Sequence, residues 1–270
     1  MLEEMRAYHQ LETTDVRLVG KQVQDGIENQ FMVIQTPFGY RRVAEIYRPE
    51  REGSYAAILY VHWYESEARD SNRTQFIEEA KEMARSGTVC LLVETLWSDM
   101  DFFYKRTQAD DAGNSIQEVV NLRRFIDFLL AQSNVDPNRF AFVGHDFGGM
   151  YGVLAGSLDK RPSHYVIMAS TPRFSNWYLY YPKLEREERE AFIQQMAEID
   201  PITHVSNLSP APVFFQFATD DFHVSRERAE EFFAAAQEPK EMKWYESGHS
   251  LNEEATKDRK SWLKQKLNLT

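Results

Sequence analysis

Short apolar runs alternate along the chain with longer stretches of helical periodicity. The runs predicted as strands are rich in β-branched and aromatic residues: Ala56–Val61, Val89–Val93, Phe140–Val143, Tyr165–Met168, Val213–Phe217 and Met242–Tyr245. Several are continuously apolar, which predicts strands buried on both faces of a parallel sheet. The stretches between them predict helices at Thr74–Arg85, Ser115–Gln132, from Phe147 onward, at Arg226–Ala235 and at the C-terminus. This alternation is typical of α/β proteins with helices on both sheet faces.

Two segments depart from that alternation. Phe31–Ile34 and Val43–Tyr47 flank a turn at Pro37-Phe38-Gly39, so we expect two paired strands before the parallel part. Residues 171–209 carry aromatic and charged stretches instead of a plain connector. We predict that they form a small cap over the carboxyl edge of the sheet, where open α/β sheets bind ligands. The whole chain, 1–270, is then one domain.

Composition excludes several classes of partner. The net charge is −11, with 42 acidic against 31 basic residues, which argues against binding to nucleic acid or to an anionic membrane surface. Cys90 is the only cysteine and lies in an apolar run, so a buried thiol is expected. The charged N-terminus lacks the apolar core of a secretory signal and no run suits a membrane span, so we expect a cytoplasmic protein. The oligomeric state is not indicated.

The most informative motif is Gly144-His145-Asp146-Phe147-Gly148-Gly149, which joins a predicted strand to a predicted helix. A sharp strand-to-helix turn crowds its neighbours, so glycines are needed around the central residue. Asp146 then stands at the sheet edge near a helix N-terminus, whose dipole favours a carboxylate. The alternative is that Asp146 only caps the helix.

This segment, with its lead-in Val135-Asp136-Pro137-Asn138-Arg139-Phe140-Ala141, resembles the nucleophile elbow of the dienelactone hydrolase-like and acetyl-esterase-like branches of the α/β-hydrolase superfamily. The resemblance extends from about Val16 to the final helix and implies an α/β-hydrolase fold. Asp146 stands where that branch usually has Ser or Cys. An aspartate nucleophile is instead typical of the haloalkane dehalogenases, haloacetate dehalogenases and epoxide hydrolases of the same superfamily.

The resemblance also implies a base and an acid, in the order nucleophile, acid, histidine. His249, in the loop after the last predicted strand, is the expected base, in preference to His62, His145 and His223. The acid should follow Val213–Phe217, where the family pattern selects Asp221 over its neighbour Asp220.

The expected oxyanion hole combines the backbone N–H groups of Phe147 and Trp63. Trp63 lies in the loop His62-Trp63-Tyr64-Glu65, which keeps the histidine of the His-Gly-x-Pro pattern of epoxide hydrolases and dehalogenases but not its Gly and Pro. We expect His62 to contact the substrate. Four aromatic residues of the cap are candidates for holding a leaving group, although such rings also pack a cap onto a body: Trp177, Tyr178, Tyr180 and Tyr181.

The nucleophile type bears on the reaction. A carboxylate that attacks an ester carbonyl gives a reactive mixed anhydride, whereas attack at saturated carbon gives an ordinary ester that His249 and water can hydrolyse. We therefore predict a hydrolase of a small organic substrate that uses Asp146, His249 and Asp221, with no cofactor. One alternative is an esterase-like or lactonase-like enzyme in which Asp146 is a general base. Others are a binding protein without activity and, less favoured because no ligand spacing is recognised, a metal site.

Overall fold

The computed structural model of the protein describes residues 1–7 and 15–269. Nine strands form one sheet in this part of the chain: β1 (Val16–Gln24), β2 (Ile27–Gln35), β3 (Arg41–Pro49), β4 (Tyr55–Val61), β5 (Thr88–Val93), β6 (Val135–His145), β7 (His164–Met168), β8 (Val213–Ala218) and β9 (Lys240–Tyr245). The described helices are α1 (Leu2–Arg6), α2 (Ile77–Arg85), α3 (Phe102–Lys105), α4 (Gln108–Leu130), α5 (Phe147–Leu158), α6 (Ser175–Tyr178), α7 (Arg186–Met196), α8 (Pro201–His204), α9 (Arg226–Ala235) and α10 (Glu253–Lys266), with 3-10 turns at Leu96–Ser98 and Val205–Leu208.

The sheet order is β1-β2-β3-β5-β4-β6-β7-β8-β9. β1, β2, β3 and β5 pair antiparallel, and every neighbour from β5 to β9 pairs parallel. Two apolar clusters occupy opposite faces of the sheet. One centres on α4 and α5, and the other lies beneath α2 and α10. The predicted fold class, a mostly parallel central sheet with helices on both faces, is confirmed.

The central strands explain why continuous apolar runs were informative. All seven residues of β4 and all six of β5 and β8 are buried. Because these strands are parallel, the loop that follows each of them lies at the same carboxyl edge of the sheet. β6, β8 and β9 bring the loops with Asp146, Asp221 and His249 to that edge.

The N-terminal strand β1 was not predicted. Eight of its nine residues are exposed. Pairing with β2 holds it in place, with a register shift between Leu18 and Gly20. A strand that is solvated on both faces leaves no alternation of apolar and polar residues to detect.

Residues 171–209 contain α6, α7, α8 and a 3-10 turn. The first of these helices packs over the loop that follows β6, where the ring of Trp177 lies 5.7 Å from that of Phe147. The loop after β5 also approaches this edge through α3, and the ring of Phe103 lies 5.7 Å from that of Phe147. Two separate segments thus flank the turn that carries Asp146.

Candidate active site

Asp146 occupies a strained turn between β6 and α5. Its backbone has φ 53° and ψ −115°, which side chains rarely adopt. Its N–H donates to the carbonyl of Met168 at 2.8 Å, and its own carbonyl accepts from Met150 N–H at 2.9 Å. A Cβ on Gly148 would lie 2.2 Å from the carbonyl oxygen of Val61. The glycine is required because the helix start approaches the end of β4 so closely.

The Asp146 carboxylate is buried but accepts no hydrogen bond. The residue has 0% exposure, and neither Oδ1 nor Oδ2 has a hydrogen-bond partner among the described residues. The side chain does not cap α5 by a hydrogen bond, contrary to the capping alternative. Because a buried polar group without a partner is costly, this arrangement indicates a group held for another purpose than stability.

His249 lies between two carboxylates. Its Nδ1 donates to Asp221 Oδ2 at 2.8 Å, and its Nε2 faces Asp146 Oδ2 at 3.9 Å, too far for a hydrogen bond but close enough for electrostatic interaction. Asp221 is fixed by its other oxygen, which accepts the N–H groups of His223 and Val224 at 2.8 and 3.0 Å. The structure therefore places Asp221 against His249, whereas the neighbouring Asp220 is exposed.

The three groups shift each other's protonation. Burial acts to lower the pKa of His249, but Asp146 and Asp221 outweigh it and raise that pKa to about 9. Burial raises the pKa of Asp146, partly offset by His249 and by the Phe147 N–H. Burial would also raise the pKa of Asp221, but His249 and two backbone N–H groups lower it overall. Asp221 is thus a fixed anion, and the proton balance lies between Asp146 and His249.

A hydrogen-bonded chain crosses the site behind His249. Gln75 Oε1 accepts the Trp63 N–H at 3.3 Å, and Gln75 Nε2 donates to His145 Nδ1 at 2.6 Å. His145 Nε2 in turn donates to the His249 carbonyl at 2.9 Å. A carbonyl can only accept, so His145 carries its proton on Nε2. Burial and the charge of His249 lower the pKa of His145 well below its usual value, which keeps it neutral.

This chain of hydrogen bonds bears on the predicted oxyanion hole. The Trp63 N–H, predicted to be one of the two donors, is engaged by Gln75. The Phe147 N–H lies at the first turn of α5, beside the Asp146 carboxylate. In the structure, the Phe147 N–H therefore lies next to Asp146, whereas the Trp63 N–H is hydrogen-bonded to the Gln75 side chain.

The five residues predicted to bind substrate divide into three groups. Trp177 lies at the site, with its ring 5.7 Å from that of His249 and its buried Nε1 without a hydrogen-bond partner among the described residues. Tyr180 and Tyr181 are half-exposed and lie farther out. His62 and Tyr178 are buried and engaged elsewhere.

His62 is held by the loop after β5. Its Nδ1 lies 2.8 Å from the Trp63 carbonyl, and its Nε2 contacts Ser98 and Thr95 hydroxyls at 2.9 and 3.0 Å. The Tyr178 hydroxyl is hydrogen-bonded to that of Tyr151 at 2.6 Å. The His62 ring and the Tyr178 hydroxyl already have protein partners, so neither is free for a ligand. Apart from the adjacent Trp63, these partners are remote in the sequence and could not be predicted from it.

Sequence reasoning missed Gln75 and His223 as site residues. Gln75 lies before α2, twelve residues from its partner Trp63, and carries no motif. The ring of His223 lies 5.1 Å from that of His249 and 4.7 Å from that of Trp177. The sequence signal for His223 was its position two residues after Asp221, but the sequence analysis considered His223 only as an alternative to His249 as the base.

Two further findings concern the described part of the chain, residues 1–7 and 15–269. It contains no group of three or more His, Cys, Asp or Glu side chains placed to hold a metal ion. None of its helices combines the length and apolar character that a membrane crossing needs.

Solved structures named as esterases or hydrolases share this fold. An acetyl xylan esterase from Paenibacillus sp. R4 superposes with a TM-score of 0.79 at 17% identity, covering 98% of this chain and 92% of that one. An esterase from an Arctic intertidal metagenomic library gives 0.68 at 15% identity, covering 92% and 97%. A putative dienelactone hydrolase from Klebsiella pneumoniae subsp. pneumoniae MGH 78578 gives 0.66 at 15%, covering 90% and 99%. The fold is that of the α/β-hydrolases.

Family membership follows from the sequence itself. Residues 77–270 match the prolyl oligopeptidase family, and the chain belongs to that family. A search of curated proteins found no match. The matched range contains Asp146, Asp221 and His249. The prediction that the chain is a hydrolase of the α/β-hydrolase type is confirmed.

Proposed function

We propose that the protein hydrolyses a small organic electrophile by attack of the Asp146 carboxylate at a saturated carbon, forming a covalent aspartyl ester. His249 activates the water that hydrolyses this ester, and Asp221 stabilises the histidine cation. No cofactor is required. The proposal includes one domain, with residues 171–209 as a cap over the site.

One observation carries the proposal, namely that both Asp146 oxygens are buried at the strained turn and have no hydrogen-bond partner in the part of the chain that the structure describes. A desolvated carboxylate without hydrogen bonds keeps its lone pairs available and is a stronger nucleophile than a solvated one. A purely structural carboxylate would be paired, since burial without a partner costs free energy.

In the first step, an Asp146 oxygen forms a bond to the electrophilic carbon while the bond from that carbon to its leaving group breaks. The leaving group departs with the electron pair, as a halide or as the oxygen of an opened epoxide that then takes up a proton. The Trp177 Nε1–H, buried without a partner beside His249, is available to donate to that departing atom.

In the second step, water attacks the aspartyl carbonyl carbon and transfers a proton to His249. The bond from that carbon to the product oxygen then breaks, the departing alkoxide takes the proton from His249 to give the product alcohol, and Asp146 returns as a carboxylate with loss of the second water proton to solvent. Esterification removes the negative charge of Asp146, one of the two carboxylates that raise the pKa of His249 to about 9. The pKa of His249 therefore falls in the intermediate, so more of the histidine is neutral and able to accept a proton when a base is needed. Asp221, hydrogen-bonded to Nδ1, stabilises the imidazolium that forms.

A second candidate is hydrolysis of an ester or lactone, with Asp146 as general base and no covalent step. The names of the structural neighbours, acetyl xylan esterase and putative dienelactone hydrolase, favour it. The hydrogen bond of Trp63 N–H to Gln75 does not separate the two candidates, because both pass through an oxyanion, at the substrate carbonyl or at the aspartyl carbonyl.

The test is a single turnover in oxygen-18 water with excess enzyme, using epoxides, chloroalkanes and activated esters as probes, followed by peptide mass analysis. Label in the Asp146 peptide after turnover of an epoxide or chloroalkane is the expected result. Ester turnover without label there supports the second candidate. Turnover of epoxides or chloroalkanes without label in Asp146 would sink the covalent mechanism.

A further inference from the structure

Half of the exposed large hydrophobic side chains among the described residues lie on three segments around the candidate site. They are Met100, Tyr104, Tyr180, Tyr181 and Phe222, of which Phe222 is 86% and Tyr104 68% exposed. Phe222 directly follows Asp221 and precedes His223. We call these five residues the aromatic rim, since four of them carry rings.

Ring contacts connect one side of the rim to His249. The rings of Phe222 and His223 lie 5.4 Å apart, and those of His223 and His249 5.1 Å. The ring of Tyr180 lies 5.7 Å from that of Trp177, which is itself 5.7 Å from His249. Ring contacts thus form a continuous path from the exposed Phe222 and Tyr180 to the histidine beside Asp146.

The other side of the rim approaches His249 through Tyr64 and Trp63. Tyr181 and Tyr104 have ring centroids 5.4 Å apart. The Tyr64 hydroxyl donates to the Met100 carbonyl at 3.0 Å, and Tyr64 follows Trp63, whose ring lies 5.0 Å from that of His249. The rim residues therefore surround the candidate site from two directions.

A buried cation holds two of these segments together. Arg106 donates to the Asp111 carboxylate and to the Tyr178 carbonyl, each at 2.6 Å, and also to the Tyr181 carbonyl. Its guanidinium carbon lies 4.4 Å from the centroid of the Tyr178 ring. The rim is therefore a supported surface, which lowers the entropy cost of binding a ligand against it.

The two cations that follow Tyr104 are already paired. Arg106 is committed to Asp111, and Lys105 pairs with Asp99 at 2.7 Å. Beyond the rim, a ligand's reacting end meets the Asp146 carboxylate, with His249 3.9 Å from it and Asp221 on the other side of that histidine. A carboxylate next to the reacting carbon would face Asp146 and find no free cation directly after Tyr104, so an uncharged group at that end of the ligand fits best.

We propose that the aromatic rim binds an uncharged aryl group of the substrate, next to the carbon that Asp146 attacks. This proposal deepens the proposed function and rests on it for the attacked carbon. Exposed rings lose apolar hydration when they stack on an aryl group, and rings add edge or face contacts that an alkyl chain cannot make. We choose an aryl group because four of the five rim residues carry exposed rings.

The experiment compares styrene oxide with 1,2-epoxyhexane and benzyl chloride with 1-chlorohexane, in wild type and in Phe222→Ser and Tyr104→Ser. Comparing each variant with wild type cancels the intrinsic reactivity of the probes. The ratio of kcat/KM for the aryl probe to that for the alkyl probe should fall roughly 3- to 10-fold in each variant. Tyr104→Ser, remote from Asp221, guards against a disturbed Phe222 loop.

The matched control is Phe38→Ser, which changes an exposed aromatic residue in the turn between β2 and β3. It should leave the ratio unchanged. An unchanged ratio in both rim variants, or an equal fall in the control, overturns the proposal.

A binding measurement separates this proposal from the proposed function. Saturation-transfer NMR with 2-phenylethanol and 1-hexanol, neither of which has a leaving group, reports contact without turnover. Stronger transfer to 2-phenylethanol that is lost in both rim variants supports the rim even if no electrophile reacts, in which case the proposed function fails alone. Reaction of the electrophiles without aryl preference overturns the rim proposal and leaves the proposed function standing.

Discussion

Two buried carboxylates in this molecule have opposite surroundings. Glu79 lies on α2 and faces α10, from which Arg259 donates to its Oε2 from Nε at 2.9 Å and from a terminal nitrogen at 2.5 Å, and Tyr60 donates at 3.3 Å. Asp146 lies buried at the carboxyl edge of the sheet, and neither of its oxygens has a hydrogen-bond partner among the described residues.

The difference separates a structural group from a reactive one. Glu79 has the partners that a buried charge needs, and it joins two helices that are far apart in the chain. Asp146 has no hydrogen-bond partner for its oxygens among the described residues. His249 Nε2 lies 3.9 Å away and the Phe147 N–H lies beside the carboxylate, so its lone pairs are available to a ligand. The comparison predicts that changes at one site affect activity and that changes at the other affect stability.

The largest expected effect is on activity, in Asp146→Asn. An amide is a poor nucleophile, so turnover should fall by roughly 10⁴-fold. Thermal stability should stay equal or rise, because the substitution removes a buried charge without a hydrogen bond. Steady-state kinetics and calorimetry on the same preparation check both. A large drop in melting temperature would show that Asp146 is structural after all.

The reciprocal change is Arg259→Met, which leaves Glu79 buried without its ion pair. The free energy of unfolding should fall by about 3–5 kcal/mol, as for other broken buried pairs. Activity per folded molecule should be retained, since Arg259 does not contact Asp146, His249 or Asp221. Denaturant titration measures the loss, and the double variant Glu79→Leu/Arg259→Met should recover much of it. If the double variant is no better than the single one, the uncompensated charge is not the cause.

A smaller effect is expected at Gln75, which joins the Trp63 N–H to His145 by hydrogen bonds. Gln75→Leu leaves the Trp63 N–H and His145 Nδ1 without partners and frees the His249 loop. We expect kcat to fall roughly 10- to 100-fold with little change in KM, as a misplaced base does. Gln75→Glu keeps the acceptor for Trp63 but not the donor to His145. Equal kcat in Gln75→Leu and wild type would mean that this chain of hydrogen bonds does not position His249.

The smallest effect concerns protonation. The pKa of His249 is raised from 6.5 to about 9, so its contribution to stability is complete below about pH 6.5 and is lost as the pH rises through about 9. Asp146→Asn removes one of the two carboxylates responsible, and the pKa of His249 should fall by roughly one unit. Ring ¹H–¹⁵N NMR during a pH titration measures it. An unchanged pKa would assign the whole shift to Asp221.

Most of the fold was predictable because burial on both sheet faces is recorded directly in the residues. The runs that form β4, β5 and β8 are apolar throughout, and the predicted α9 agrees with the observed helix at both ends. α3 and the turn before it were missed, since a four-residue helix has no room for periodicity. The long helix α4 also begins seven residues before its predicted start at Ser115.

The candidate site was predictable where a motif fixes a loop and unpredictable where packing fixes a side chain. The turn at Asp146 and the loops of Asp221 and His249 follow strand ends, so their meeting could be expected. The role of Tyr178 could not be predicted, because its hydroxyl is hydrogen-bonded to that of Tyr151 rather than directed to the site. The orientation of one ring on a four-residue helix depends on neighbours remote in sequence.

Arg106 has a consequence for how molecules reach Asp146. Its hydrogen bonds to the carbonyls of Tyr178 and Tyr181 join residues 171–209 to the segment that follows β5. An opening movement of residues 171–209 would break both of these hydrogen bonds and leave the buried guanidinium with the Asp111 carboxylate as its acceptor. We therefore expect residues 171–209 to stay in place when a ligand arrives, so that adjustment to the ligand falls to side-chain rotation, which is faster than loop movement.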